Sequence, residues 1–239
     1  GGHRRPGVTG EGARDFQLGD AVFGVCEVPA ESAYAEKIAL RQEIVARKPE
    51  RFSHVECAAA GLAALTALIS VEDTLQLKAG ETVLIHGGAG GVAGFGIQLA
   101  KHLGARVIST ASASNHDYVR GLGADVVIDY RAQDFARAVS NCDAVFDTVG
   151  GDVTARSFAV LRAGGRLASI AGGAQAPASP RADVTSLRPK VGRDRQHLER
   201  ITTLLNDGVF RIPEISEFKL SEAAAAHRVF RYFKSSGER

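Results

Sequence analysis

The chain has 239 residues, 45% of them hydrophobic, and a formal net charge of +2 at pH 7. This length and composition predict a globular protein with a sizeable core, arranged as one large domain or two smaller ones. Because charges of both signs are interspersed and the aromatic residues form no stacking motif, we expect no nucleic-acid partner.

The sequence also argues against membrane and secretion signals. No apolar run approaches the roughly 20 residues of a membrane helix, and the N-terminus lacks the apolar core of a signal peptide. We therefore predict a cytoplasmic protein with no membrane contact. Three widely spaced cysteines, Cys26, Cys57 and Cys142, predict reduced thiols rather than a disulfide framework or a zinc cluster. The chain has no methionine and does not begin with one, so we expect it to be incomplete.

The chain before residue 50 differs in character from the rest. Residues 20–25 and 33–40 predict short strands without a helix between them, which is typical of antiparallel β structure. Pro49 disfavours the helical conformation in the preceding residue, so a domain boundary is expected there. An alanine-rich helix is predicted over residues 53–69, leading into the next domain.

A glycine-rich turn at residues 87–94 is the most informative feature of the chain. It follows an apolar run at 83–85 and precedes apolar residues at helical spacing, which predicts a strand, a turn and a helix that starts near Val92. Gly88, Gly90 and Ala93 fill the G-x-G-x-x-G/A pattern. In that pattern the first glycine makes the tight turn and the second lets the backbone approach a pyrophosphate. The sequence therefore predicts a dinucleotide-binding βαβ unit.

Strands and helices continue to alternate after this unit. Gly104 occupies the position that ends a helix, and a strand resumes at Val107. Further strands are predicted at 126–130, 144–148 and 166–170, with helices at about 134–139 and 152–161 between them. Such alternation predicts a parallel, doubly wound α/β sheet.

The last third of the chain is predicted to be less regular. Residues 173–184 are rich in Ala, Pro and Ser and predict a surface loop. A helix at 197–205, an extended segment at 209–220 and a second helix that starts near Ser221 are expected to follow.

Motifs throughout the chain are similar to those of one known family. They occupy residues 16–24, 33–36, 60–65, 80–86, 122–125, 127–130, 146–150 and 163–167. As an ordered set they resemble the medium-chain dehydrogenase/reductases, and within them the zinc-free quinone oxidoreductases. The resemblance implies an α/β fold with a Rossmann doubly wound parallel sheet and a partial β-rich GroES-like catalytic domain.

The resemblance also implies a domain organisation. Residues 1–49 would form part of the GroES-like domain, 50–195 the Rossmann domain, and 196–239 a segment that returns toward the β domain. Both ends of the family pattern lack a counterpart here. Most residues on the substrate side therefore lie outside this chain, and its catalytic residues are unknown.

Binding of a dinucleotide is implied for sixteen residues of the chain. Residues 89–93 would hold the pyrophosphate, with Ala93 where the family usually has glycine. The family's threonine beside the nicotinamide would align with Ala63, and Thr66, one helical turn further on, would take its place. A helix hydroxyl bonded to its own backbone is the interpretation of Thr66 that we favour. The predicted cofactor-binding residues are Thr66, Gly88, Ala89, Gly90, Gly91, Val92, Ala93, Thr110, Ser112, Asn115, His116, Tyr130, Val149, Gly150, Ala171 and Gly172.

Cofactor choice can be argued from charge. NAD sites commonly place an acid about 20 residues after the first glycine, where it binds the ribose 2′-hydroxyl. Here that count reaches Ile108, and residues 109–116 contain hydroxyls, an amide and an imidazole but no carboxylate. NADP is therefore the predicted cofactor. No Arg or Lys lies in this segment either. The resemblance implies that Tyr130 helps to bind the 2′-phosphate and that His116, near the position of a family lysine, partly replaces that lysine, more strongly when protonated.

No metal site is predicted. The family's catalytic zinc ligand would align near Ala59, which cannot bind metal, and Cys57 is the nearest alternative. His86 follows a strand beside the turn and has two interpretations. It is either a general base or, as we favour, a strand-end histidine that is bonded to backbone.

The resemblance implies an NADPH-dependent reductase that transfers hydride to a quinone or a similar conjugated carbonyl. Two alternatives remain open: an enoyl-thioester or enone reductase, and a non-catalytic NADP-binding protein. The expected partner is a small-molecule electron acceptor. A homodimer joined through the strand at 166–170 is a further expectation from the resemblance.

Overall fold

A computed structural model describes residues 14–27 and 33–236 of the chain. These residues form two compact units. One unit combines the described residues up to Leu65 with those from Gly192 onward, and the other extends from Thr66 to Val191.

The described residues contain eight strands and seven α-helices. The strands are β1 (Val22–Gly24), β2 (Val45–Arg47), β3 (Thr82–Ile85), β4 (Arg106–Ala111), β5 (Val126–Asp129), β6 (Cys142–Asp147), β7 (Leu161–Ser169) and β8 (Thr185–Leu187). The helices are α1 (His54–Leu68), α2 (Gly91–His102), α3 (His116–Gly121), α4 (Phe135–Ala138), α5 (Asp152–Ser157), α6 (Arg195–Asn206) and α7 (Ala223–Ser236).

The unit that contains the chain start is built on a short antiparallel pair. β1 and β2 pair with Val22 opposite Arg47. The backbone of Gly24 lies so close to the carbonyl oxygen of Ile44 that an added Cβ would be 2.6 Å from it. Residues 33–40, predicted as a strand, contain none. The predicted strand is therefore wrong, because β2 rather than this segment pairs with β1.

Helix α1 begins with a capping box, and the helical run that it opens continues past residue 69, where the predicted helix ends. The hydroxyl of Ser53 accepts a hydrogen bond from the Glu56 amide at 3.2 Å, and the Glu56 carboxylate accepts one from the Ser53 amide at 2.7 Å. The helix continues into a π-helical turn at Ile69–Thr74. The segment His54–Thr74 is long and apolar enough to cross a membrane, which corrects the expectation of no such run. Its most apolar stretch is 61% buried within the protein, as in a core helix.

The second unit contains a six-stranded parallel sheet in the order β5-β4-β3-β6-β7-β8. The chain fills one side of β3 first and then crosses to the other, so the winding direction reverses between β3 and β6. Four adjacent strands each contribute a buried side chain to one apolar cluster, namely Leu84, Ile108, Val145 and Leu167. The predicted doubly wound α/β fold is confirmed, and ligands bind such sheets at the carboxyl ends of the strands.

Helix α2 packs closely against the sheet because small residues line its inner face. An added Cβ at Gly96 would lie 3.2 Å from the ring of Phe146 on β6. Phe95 and Leu99 are fully buried on the same helix. The helix ends at His102, and Gly104, two residues on, has a φ of +82°, the left-handed conformation that glycine adopts just after a helix.

The last two strands of the sheet, β7 and β8, differ from the prediction. β7 starts at Leu161 rather than 166, so α5 is shorter than predicted and ends at Ser157. β8 was not predicted, yet it pairs with β7, with Leu167 opposite Ser186. The strand at 166–170 is therefore internal and cannot be the free edge of a dimer interface. A homodimer itself stays a prediction.

Candidate functional site

The predicted cofactor residues lie mainly at one edge of the parallel sheet. Parallel strands share an edge at their carboxyl ends, and each predicted group follows such an end. Residues 88–93 follow β3, Ser112, Asn115 and His116 follow β4, Tyr130 follows β5, Val149 and Gly150 follow β6, and Ala171 and Gly172 follow β7. Thr110 lies within β4. Thr66 instead lies inside α1, is only 8% exposed, and accepts the Ser70 hydroxyl on its carbonyl at 2.6 Å.

The glycine turn is anchored to the neighbouring strand β4. The amide of Gly88 donates to the carbonyl of Thr110 at 2.9 Å, and that of Gly87 donates to the Thr110 hydroxyl at 3.1 Å. Gly87, with φ of +73°, makes the tight turn that the sequence pattern assigned to Gly88. Gly88 is required for space, because an added Cβ would overlap Ser109 and lie 3.0 Å from Val119.

The N-terminus of α2 offers free backbone donors. Its N-cap residue is Gly90, and no side chain caps the helix. The amides of Gly91 and Val92 belong to the first turn, where helix geometry supplies no carbonyl partner, and Gly91 is exposed. Ala93 is buried, so its methyl group fits where the family usually has glycine. A helix N-terminus of this kind binds phosphate groups through N–H groups and its positive dipole end.

The segment after β4 is polar and largely self-bonded. Ser112 accepts a hydrogen bond on its hydroxyl from the Asn115 amide group at 3.0 Å, and both residues are buried. Thr110 is 4% exposed and holds the turn from beneath. Nε2 of His116 is buried without a hydrogen-bond partner in the described part of the chain. It is a polar atom at this edge that a bound ligand could satisfy.

A cationic residue, Arg131, follows β5 beside this segment. β5 pairs with β4, with Asp129 opposite Ala111, so Tyr130 and Arg131 leave the sheet next to Ser112. Tyr130 is 49% exposed, and the Arg131 guanidinium is 5.7 Å from the centre of its ring. Arg131 lies outside residues 109–116, the segment from which the cofactor was predicted. Strand order was needed to bring Arg131 to the same place.

The loops after β6 and β7 touch each other. Gly150 has φ of +90°, and an added Cβ there would lie 2.7 Å from the Cβ of Ala171. Gly172 also has a left-handed φ, of +82°. Val149 is 53% exposed, which leaves its side chain accessible at this edge. Arg188, just after β8, donates to the Ala171 carbonyl at 2.9 Å and so fixes the second loop.

His86 is bonded to hydroxyl groups rather than to backbone, which corrects the interpretation we favoured from the sequence. Its Nδ1 lies 3.2 Å from Thr110 Oγ1 and its Nε2 lies 2.9 Å from Ser157 Oγ. Burial lowers the pKa of His86 from 6.5 to about 4, although the nearby charge of Asp147 opposes that shift. The side chain is 1% exposed and cannot reach a substrate as a general base.

Metal ligands are not grouped in the described residues. No set of three or more His, Cys, Asp or Glu side chains there could hold a metal ion. Cys57 is fully buried in α1, and burial raises the pKa of its thiol to about 11, far from a zinc-binding thiolate. Ala59, two residues on, has no ligating atom. Zinc independence stays a prediction.

Comparison with known proteins identifies relatives of the chain. The family model described as zinc-binding dehydrogenase matches residues 122–237. A chloroplastic NADPH-dependent alkenal/one oxidoreductase of Arabidopsis thaliana is 32% identical over 177 residues, which are 71% of this chain and 45% of that protein. The chain thus spans about half the length of this curated relative.

Solved structures match over nearly the whole chain. The quinone oxidoreductase from Coxiella burnetii is 32% identical with a TM-score of 0.85, covering 96% of this chain and 74% of that one. The CurK enoyl reductase is 28% identical, also with a TM-score of 0.85, covering 97% and 74%. The chain belongs to the medium-chain dehydrogenase/reductase superfamily.

Proposed function

We propose that this chain is the nucleotide-binding part of an NADPH-dependent reductase that transfers hydride to a quinone or a similar conjugated carbonyl. The observation that carries the proposal is the uncapped N-terminus of α2, which opens beside the acid-free segment after β4. The helix end attracts the pyrophosphate, and a segment without carboxylates does not repel a 2′-phosphate. The plant relative, which its name describes as NADPH-dependent, supports the same cofactor.

The residues of this edge fit NADPH in charge as well as in shape. The first carboxylate after the segment, Asp117, pairs with Arg120 at 3.3 Å. Arg131 and the imidazole of His116 lie on the side where the adenosine ribose is expected. Nε2 of His116 has no hydrogen-bond partner among residues 14–27 and 33–236, and when it carries the proton it is a donor suited to a phosphate oxygen.

When bound, the reduced nicotinamide supplies the hydride. The chain's own task is to hold the ribose beside it in a fixed position, so that the donor carbon and the acceptor meet at reacting distance. Gly150 and Ala171 perform this task, because their loops touch and are held by side chains beneath them. A quinone that accepts hydride becomes a stabilised hydroquinone anion, so this edge can support the reaction without an acid of its own.

A second candidate acceptor is an enoyl thioester or an enone. The enoyl reductase structure matches the chain with the same TM-score as the quinone oxidoreductase structure. That chemistry needs a proton delivered to carbon. The residue that delivers it would come from the substrate side of the cofactor.

The experiment compares binding with turnover. NADPH fluorescence is titrated with the purified protein, and NADPH oxidation is then followed with 1,4-benzoquinone, with crotonyl-CoA and with an enone, each against a protein-free control. Reduction of benzoquinone supports the proposal. Activity with the thioester alone overturns the quinone assignment. Binding of NADPH without any reduction identifies a non-catalytic NADP-binding protein. A protein that does not bind NADPH refutes both reductase proposals and the non-catalytic alternative.

A further inference from the structure

His86 lies at the centre of a buried polar network directly beneath the glycine turn. It follows β3, and its ring packs edge-on against Phe135 with ring centres 4.6 Å apart. Hydroxyl groups face both ring nitrogens, Thr110 from β4 and Ser157 from α5. The carbonyl of His86 also accepts the Thr148 hydroxyl at 2.8 Å. His86 thereby connects the turn to β4, to α5 and to the loop that follows β6.

The positions of the protons in this network follow from hydrogen-bond pairing. Ser157 donates its one hydroxyl proton to the Val153 carbonyl at 2.6 Å, so it can only accept from His86. Nε2 must therefore carry the proton of the neutral imidazole, and Nδ1 must accept. Thr110 then donates to Nδ1, which leaves its oxygen free to accept the amide of Gly87. The other tautomer would bring two acceptors, Nε2 and the Ser157 oxygen, face to face.

We propose that His86 is a positioning residue for the cofactor-binding turn: its Nδ1 orients the Thr110 hydroxyl, which fixes the Gly87 amide and with it the approach to the N-terminus of α2. The proposal rests on the proposed function as far as NADPH is concerned. The geometry of the free turn is a separate matter and can be tested without ligand. Burial supports the neutral tautomer, because a charged imidazole is disfavoured there.

The network should make the binding of NADPH more favourable by holding the turn in place before the ligand arrives. A turn that is held before the ligand arrives loses less conformational freedom on binding than a loose one. Gly87 and Gly88 are both bonded to Thr110, through its hydroxyl and its carbonyl, and only the hydroxyl bond depends on a side chain. Removing that hydroxyl should therefore loosen the turn and leave the strand intact.

The test uses a pair of variants at one position with a matched control. Thr110→Val keeps the shape of the side chain but removes the hydroxyl, and Thr110→Ser keeps the hydroxyl. Thr185→Val makes the same change at an exposed position on the same sheet. In Thr110→Val we expect the Gly87 amide to exchange its hydrogen about tenfold faster and NADPH to bind about tenfold more weakly. Thr110→Ser should recover most of both effects, and Thr185→Val should produce neither.

The tautomer of the His86 ring can be measured in the wild-type protein. Nitrogen NMR shifts of the wild-type protein should show His86 protonated at Nε2 and unprotonated at Nδ1 at neutral pH, and Thr110→Val should move the Nδ1 signal. A wild-type His86 protonated at Nδ1 overturns the proposal, as does unchanged Gly87 exchange in folded Thr110→Val. If wild type fails to bind NADPH, the proposed function fails, while the exchange and tautomer measurements still decide whether His86 positions the turn.

Discussion

The carboxylate of Asp147 accepts a hydrogen bond from the hydroxyl of Ser169 at 3.1 Å, which joins the end of β6 to the end of β7. The same carboxylate accepts from the amides of Val149 and Gly150, at 2.9 and 3.0 Å, and from the Thr154 hydroxyl. Asp147 is fully buried, and each of its oxygens has two donors. One side chain therefore fixes both loops that are expected to border the nicotinamide ribose.

Replacing this carboxylate should cost much of the protein's stability. Asp147→Ala leaves two partly buried amides and the buried hydroxyls of Thr154 and Ser169 without this acceptor, so we expect the free energy of unfolding to fall by about 3 kcal/mol or more. Asp152→Ala, the same change at an exposed position five residues on, removes a long ion pair with Arg156 and should cost less than about 1 kcal/mol. Chemical denaturation of both variants measures the difference. Equal losses would contradict the role of Asp147.

A second prediction concerns Gly88 and the space around it. Gly88→Ala forces a methyl group against Ser109, whose hydroxyl is already bonded to the Ile85 carbonyl at 2.7 Å and cannot move freely. We expect a loss of about 1 to 3 kcal/mol. Gly121→Ala, at the end of α3, has nothing within 4 Å of the added Cβ and should leave stability unchanged or raise it by up to about 1 kcal/mol. Thermal unfolding of the two variants separates crowding from the general effect of removing a glycine.

Residues 109–116 contain no lysine or arginine, and adding one at position 116 gives a prediction on cofactor affinity. His116→Lys places an ammonium group at the first residue of α3, where it can pair with a 2′-phosphate. NADPH should bind about tenfold more tightly, whereas NADH, which has no 2′-phosphate, should be unaffected. His102→Lys makes the same change in the last turn of α2, at the opposite edge of the sheet, and should alter neither affinity. A gain that NADH shares would exclude the 2′-phosphate as its cause.

Local patterns explain why the βαβ unit could be predicted from sequence. The apolar run of β3, the spacing in α2 and the glycine at 104 act within about 20 residues, and each has one favoured conformation. β8 has no such pattern: Thr185 and Ser186 are polar, and the strand exists because β7 offers an edge to pair with. Residues 33–40 show the reverse, since the strand predicted there has no pairing partner in the described chain.

The candidate site also has features that the sequence predicts and features that it does not. Residues that follow strand ends could be predicted, because parallel strands bring their carboxyl ends to one edge. The contacts that hold these residues could not be predicted, because they depend on the order of the strands in the sheet. Asp147 is bonded to Ser169, and Arg188 to Ala171, because their strands are neighbours. Arg131 belongs to this second group. Its place next to the end of β4 depends on the pairing of β5 with β4.

The last prediction concerns pH and the buried imidazole of His86. Its pKa falls from 6.5 in the unfolded chain to about 4 in the folded protein, so between these values the unfolded state binds the extra proton. The contribution of His86 to the free energy of unfolding should therefore be fully present above about pH 6.5. It should be lost as the pH falls toward 4, which lowers the free energy of unfolding by up to about 3 kcal/mol. Thr110, Phe135 and Ser157, which face the ring from β4, α4 and α5, carry no charge; Asp147 on β6 is the charged group that acts on it.

A comparison of two variants isolates this contribution from that of the carboxyl groups. Lowered pKa values at groups such as Asp125 and Asp143 also make stability fall in acid, but chiefly below the window of His86 and in every variant alike. His86→Gln should be less stable than wild type at neutral pH and should lose the slope between pH 6.5 and 4. His102→Gln, at an exposed histidine, should keep the wild-type slope. If denaturant unfolding at several pH values gives His86→Gln the same slope as wild type, His86 is not the group that couples folding to protons in this range.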